Sequence, residues 1–308
     1  MTNLTGVFYQ SLLAVAVLVG LGVLLGKRRV ITAQVSESFA ELLLGIVMPC
    51  ALFVAFPSKF EQGTLDLFLQ AAIGGAVVIV GAIIVSRLVF RRNWFHHNFY
   101  EHQFAFIFNN ASFLGYPLTL AIFGVDALIP YSGFMLVFNL VLFSYGVWLF
   151  ERKITWRHIQ QIFLNRNVIA VILGLLFFVN SWEVPEFVSQ TLGYIAALTT
   201  PLSLFCIGFM LSQIRNWGLL WRKLRLFITC GLQLTLMPLL TYVVCWVMRL
   251  PGEARQVLTL IQALPTATSL AIFAEKYGGD KTEASELVMI STLMSAATLP
   301  LVMWLLLR

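Results

Sequence analysis

Twice in this chain an apolar stretch long enough to cross a bilayer is interrupted by polar and helix-breaking residues. The first interruption carries Asn109, Asn110, Ser112, Gly115, Tyr116 and Pro117, and the second Gln262, Leu264, Pro265, Thr266, Thr268 and Ser269. Backbone that stops being helical in hydrocarbon strands N–H and C=O groups, and this is tolerated only where they are buried in protein or line a wet cavity. The breaks therefore predict a cavity at membrane depth, which is how membrane carriers build a substrate site.

The rest of the chain suits that setting. Its 308 residues are 59% hydrophobic and 11% charged, with a mean hydropathy of +0.88, whereas soluble domains carry roughly 25% charged residues. The fold class expected is all-α, a polytopic membrane protein. Ten apolar runs reach the length of about 20 residues that spans a hydrocarbon core: 5 to 26, 37 to 56, 66 to 90, 102 to 123, 130 to 150, 157 to 180, 186 to 212, 224 to 248, 255 to 275 and 284 to 307. No soluble domain is left over. The first run lacks a basic n-region and a small-residue cleavage site, so it reads as a retained helix. Cys50, Cys206, Cys230 and Cys245 fall inside the runs without metal or disulfide spacing and read as small apolar packing residues.

The net charge of +6 is a matter of topology and not of nucleic acid. Sixteen of the twenty Lys and Arg fall in alternate loops: Lys27 to Arg29, Arg87 to Arg92, Arg152 to Arg166, Arg215 to Arg225, and Lys276 with Lys281. Lys59, Arg249, Arg255 and Arg308 occupy the other face. The excess puts the first set in the cytoplasm of a plasma-membrane protein, with both termini extracytoplasmic.

Two halves are visible. An offset of 152 places Pro49 on Pro201, and an offset of 148 places Pro117 on Pro265. Five spans per half is an odd number, so the second copy enters the membrane from the opposite side, as an inverted repeat. The organisation expected is residues 1–150 for spans one to five, a cytoplasmic connector over 151–166, and 167–308 for spans six to ten, with span six starting near 157 or after the connector. Ile154, Trp156, Ile159, Ile162 and Phe163, among Arg152, Lys153, Arg157 and His158, give that connector an amphipathic pattern. Pro238 and Pro300 have no mates and read as kinks.

Proline lacks an N–H and suits the first turn of a helix, while it pushes its predecessor toward an extended conformation. Pro117 and Pro265 are accordingly expected to start new half-helices near mid-membrane, with Tyr116 and Leu264 extended. In opposed spans the two half-helices present their positive ends, each worth roughly half a charge, to a common centre. Without Lys or Arg near the midplane of any span, these ends are the main positive features, and an anion is the natural ligand. Asn109, Asn110, Ser112, Gln262, Thr266, Thr268 and Ser269 supply amides and hydroxyls that bond a carboxylate or the freed backbone. Asn139, Gln233, Ser291, Thr292 and Ser295 offer an extension of the pocket or ordinary interhelical bonds.

Other chemistry is disfavoured. No metal set is expected, and neither His-Glu-x-x-His nor Gly-x-Ser-x-Gly occurs, so the chain reads as no enzyme; a receptor role has no positive feature. Glu41, Glu275, Glu283 and Glu286 sit near the expected cytoplasmic ends, away from mid-depth where a carboxylate proton relay needs them. Sodium remains open as a coupling ion through carbonyl ligands, as does the proton. His96, His97, Glu101 and His102 are expected in an interfacial loop with solvated imidazoles, and Trp148, Trp182, Trp217, Trp221 and Trp246 in an interfacial belt.

Phe108-Asn109-Asn110, Phe113, Gly115 and Pro117-Leu118 in the fourth span, with Ala263, Pro265 and Ser269 before Tyr277-Gly278 in the ninth, make the chain resemble the auxin efflux carrier family in its compact bacterial form. The resemblance implies a fold like that of the bile-acid sodium symporters and sodium/proton antiporters, with the fourth and ninth spans crossing at their breaks. It also implies a homodimer, a scaffold of spans 1, 2, 6 and 7, and a mobile transport unit of spans 3–5 and 8–10. The expected function is secondary transport of a small organic anion, a mono- or dicarboxylate, by an elevator-like mechanism, with a sodium-coupled symporter as the alternative. The partners implied are that anion and the lipid bilayer, without a cofactor. Ser269 stands where many bacterial members carry Asn, and the long cytoplasmic loop of many plant carriers is absent.

Overall fold

The structure is a computed structural model and describes residues 2–57, 59–90, 99–153, 155–156, 160, 163–213 and 223–306. Among these the secondary structure is helical throughout, apart from one isolated antiparallel bridge. The helices are α1 (Thr2–Lys27), α2 (Ala33–Val54), α3 (Gln62–Val89), α4 (Phe99–Ile107), α5 (Ala111–Phe123), α6 (Leu128–Glu151), α7 (Arg166–Val179), α8 (Glu186–Ala197), α9 (Thr199–Ser212), α10 (Leu224–Val247), α11 (Gly252–Gln262), α12 (Ser269–Tyr277) and α13 (Lys281–Leu306). Six helical stretches are long and apolar enough to cross a membrane: α2, α3, α6, α8 with α9, α10 and α13. Their outward residues include Ile73, Val80, Ile84, Val243 and Leu301, which are exposed as lipid-facing side chains require.

Local sequence explains where these helices bend and stop. Pro49 follows a π turn at Leu43–Val47, and Pro201 follows the interruption at Leu198. Pro238 and Pro300 instead lie inside the continuous helices α10 and α13. α7 begins at Arg166, not near 157, because Asn165 caps it: its side chain accepts from the N–H of Asn167 at 2.9 Å and of Val168 at 3.1 Å. The connector residues 154, 157–159 and 161–162 lie outside the described residues, and Trp156 and Phe163 are exposed.

Close packing rests on small residues. α1 lies against α9, where a side chain on Gly208 would come 2.3 Å from Val19 O and one on Gly22 would come 2.8 Å from Phe205 O. α3 lies against α6 at Gly133, whose added Cβ would sit 2.3 Å from the carbonyl oxygen of Phe68. In lipid, where water does not drive helices together, such backbone approach supplies the attraction. Arg87 and Arg152 stack on Trp148 at 5.2 and 4.6 Å, while Trp182 and Trp246 are exposed; Trp217 and Trp221 fall outside the described residues.

The fourth and ninth apolar runs are both broken, at Phe108–Asn110 between α4 and α5, and between Gln262 and Ser269 from α11 to α12. The breaks pair with one another. Asn110 N–H donates to Pro265 O at 2.7 Å and Ala267 N–H to Phe108 O at 2.9 Å, giving the bridge of Asn109 with Thr266.

The prolines do not start the new half-helices, contrary to expectation. α5 starts at Ala111 because Asn110 caps it, accepting from Phe113 N–H at 3.3 Å, and Tyr116 is fully helical at φ −59°, ψ −56°. Pro117 is tolerated because the preceding turn, Ala111–Gly115, is a π turn, with Gly115 N–H bonded to Asn110 O at 3.2 Å. Pro265 lies within the crossing itself, and α12 starts at Ser269. The offset of 148 thus matches two prolines with different local roles.

Replacing Gly133 by Ala should lower the thermal unfolding temperature of the purified protein, by overpacking worth about 1–3 kcal/mol. The same change at Gly193, which has open space around it, should leave the temperature unchanged or raise it.

Candidate functional site

The crossing is stabilised by a nearly complete accounting of its freed backbone groups. Besides the two bonds between the breaks, Gln233 of α10 donates to Leu264 O at 2.6 Å, and Tyr131 of α6 donates its hydroxyl to Ala111 O at 2.9 Å. Thr266 N–H donates to Ser291 Oγ of α13 at 3.1 Å, and the Thr266 hydroxyl donates to Ala105 O at 3.3 Å. Asn109 Nδ2 donates to Gln262 Oε1 at 2.7 Å, so the two breaks are joined by side chains as well. Gly115 packs its backbone against Leu264 and Tyr131, with room for only a tight Cβ.

In front of the crossing is a cavity of about 550 Å³. One wall comes from the breaks: Asn109, Asn110 and Ser112 from the first, Ala267, Thr268 and Ser269 from the second. Asn139, Phe138, Leu142 and Phe143 of α6 and Phe273 of α12 form the side. The opposite wall consists of Glu41, Leu44 and Gly45 of α2 with Asn165, Arg166 and Asn167 at the start of α7. The π turns at Leu43–Val47, Ala111–Gly115 and Leu142–Gly146 all contribute lining residues.

Electrostatically the cavity receives the N-terminal ends of α5 and α12, each a partial positive charge. Asn110 is 3% exposed, and its Nδ2 has no partner among the described residues. A buried amide donor without a partner costs free energy that a bound acceptor recovers. An oxygen-rich anion matches this wall: two helix starts, one unsatisfied amide donor and the hydroxyls of Ser112, Thr268 and Ser269.

The structure sorts the residues singled out from sequence. Asn109, Asn110, Ser112, Thr268, Ser269 and Asn139 line the cavity. Gln262, Thr266, Gln233 and Ser291 lie behind it and hold the crossing, as do Leu264 and Pro265. Thr292 and Ser295 bond carbonyls of their own helix, Val288 O and Thr292 O, each at 2.7 Å.

Two residues sit elsewhere than expected. The helix ends share the cavity with a further positive group, because the Arg166 side chain lines it. Its place among the basic connector residues makes it a loop charge by sequence, yet Asn165 immediately before an apolar run is an N-cap signature that moves the helix start onto Arg166. His102 is not a solvated imidazole: it is 1% exposed, with Nδ1 2.6 Å from Thr229 Oγ1 and Nε2 3.2 Å from Glu283 Oε1. Glu101 is buried too, its Oε1 accepting from Asp280 N–H at 2.7 Å. The apolar run of α4 starts at Phe99 and carries both into the interior; His96 and His97 lie outside the described residues.

Residues 150–303 match the family described as membrane transport protein. The chain belongs to this family, that of the auxin efflux carriers. It is similar over nearly its whole length to two archaeal proteins, both described only as uncharacterized transporters. One, from Methanothermobacter thermautotrophicus, is 25% identical over 299 residues, covering 95% of this chain and 96% of the relative. The other, from Methanocaldococcus jannaschii, is 22% identical over 300 residues, covering 93% and 96%. The chain is thus a multi-pass membrane transporter and not an enzyme.

Gln233→Leu should leave Leu264 O buried without a donor and cost about 1–3 kcal/mol, seen as a lower unfolding temperature. Thr292→Val, which removes only a bond to its own helix, should stay within about 0.5 kcal/mol of the parent.

Proposed function

We propose that this transporter carries small organic anions, mono- or dicarboxylates, by alternating access around the crossing of its two broken spans. The observation that supports this best is the shared cavity at the starts of α5 and α12, walled by Asn110 with its unpartnered Nδ2. In this reading α4 with α5 is the fourth span, α8 with α9 the seventh and α11 with α12 the ninth. Ten spans then form two inverted repeats of five. Spans 1, 2, 6 and 7 act as a static scaffold through which two copies dimerise, and the remaining spans move past it as an elevator. The distribution of the loop charges supports a plasma-membrane location with both termini outside the cytoplasm. The cavity, bordered by the start of α7 after the basic connector, then opens inward.

The crossing suits such carriage. Hydrogen bonds tie the two breaks to each other and to α6, α10 and α13, so the anion wall travels as one piece. Sodium coupling is a second reading, favoured by the amide oxygens of Asn109 and Gln233, which are buried near the crossing without hydrogen-bond donors. Neutral oxygens of this type suit a hard monovalent cation.

In proteoliposomes, Asn109→Ala and Asn110→Ala should abolish uptake of a carboxylate that the parent protein carries, with both variants remaining folded by thermal unfolding. Unchanged flux in both would remove the crossing from the site. Flux of the parent that ignores an imposed sodium gradient would eliminate the sodium-coupled version.

A further inference from the structure

We infer that Arg166 is an anion-binding residue of the wall facing the crossing, and that it sets affinity only from the side to which the cavity is now open. The inference rests on the carrier reading above and extends it to a residue of the opposite wall.

Three features of the structure bear on this. Arg166 is the first residue of α7, so its cation stands beside the positive end of a 14-residue helix. The guanidinium is docked: Nη1 donates to Gly45 O at 3.3 Å, in the π turn of α2. Gly45 is what admits it, since a Cβ there would come 2.5 Å from that same Nη1. Among the described residues this one bond to a neutral carbonyl is the guanidinium's polar contact, with no ion pair, and a carboxylate is the group whose geometry the fork matches. Glu41, the acidic residue of the lining, stands on the same wall and opposes an anion.

The two walls belong to different bodies in the elevator reading. Asn110, Thr268 and Ser269 move with the crossing, whereas Gly45 and Arg166 belong to spans 2 and 6 and stay. An anion held between them must release Arg166 before it travels. Arg166 therefore contributes to binding from the cytoplasmic opening and has no part in the outward-facing site.

The test uses the full-length purified protein, with succinate and acetate as probes, and reads dissociation constants from ligand-induced thermal shifts. For whichever probe binds the parent, Arg166→Gln should weaken binding by about tenfold or more, and Arg166→Lys by less, because a point charge replaces the fork. Gly45→Ala should weaken it while keeping the charge, and Glu41→Gln should tighten it. In inside-out vesicles Arg166→Gln should raise KM by a similar factor, while in right-side-out vesicles KM should stay within about twofold of the parent. Parent-like affinity in Arg166→Gln, or an equal rise of KM from both faces, would overturn the inference. If Arg166→Gln fails to fold, Gly45→Ala and Glu41→Gln decide, and parent-like affinity in both overturns it. Absence of any shift or flux with either probe in the parent would instead refute the carrier reading for these carboxylates, and the assignment of Arg166 with it.

Discussion

Two backbone hydrogen bonds, Asn110 to Pro265 and Ala267 to Phe108, are the interaction on which the rest depends. Each broken span frees peptide groups that hydrocarbon cannot solvate. The chain meets that demand by pairing one break with the other, as if a scrap of antiparallel ribbon had been set between helices. Every other constraint at the centre follows from protecting this ribbon. Gln233, Tyr131, Thr266 and Ser291 point at its carbonyls and amides, and Asn109 joins Gln262 across it. A cluster of polar residues in a membrane helix is therefore read too quickly as a ligand site: about half of the polar groups here support the backbone.

The polar composition of the breaks made the cavity legible, because few other reasons place Asn, Gln and Thr in the middle of apolar runs. Sequence could not divide those residues between ligand and backbone. Asn110 faces the cavity and Gln262 does not, although both are amides at a helix end, and only the pairing of Gln262 with Asn109 across the two breaks separates them. Local rules failed at the prolines. Proline alone predicts a helix start, but a capping Asn110 seven residues before Pro117 and a π turn between them let the helix run through. The ends of the apolar runs were legible to within a turn or so, except at α7, where Asn165 supplied a cap signal that hydropathy concealed. His102 escaped for the opposite reason: its partners Thr229 and Glu283 are far away in sequence, and no local pattern announces them.

Charge is distributed in the cavity without a single ion pair of its own among the described residues. The positive character comes from oriented peptide groups and one arginine, and the negative from one glutamate. Peptide dipoles at helix ends attract an anion without the desolvation cost that a buried lysine or arginine would impose at mid-membrane. That arrangement leaves the central wall without a charged side chain. The cation is kept at the edge, on an exposed residue.

The three π turns have a mechanical consequence. Each inserts one additional residue into a helical turn, and each stands at a different side of the same hollow, at Leu43–Val47, Ala111–Gly115 and Leu142–Gly146. A turn closed by i to i+5 bonds departs from the ordinary helical ladder and is found mostly at functional sites. The hollow is thus flanked on three sides by the places where its own helices give up their regular pitch.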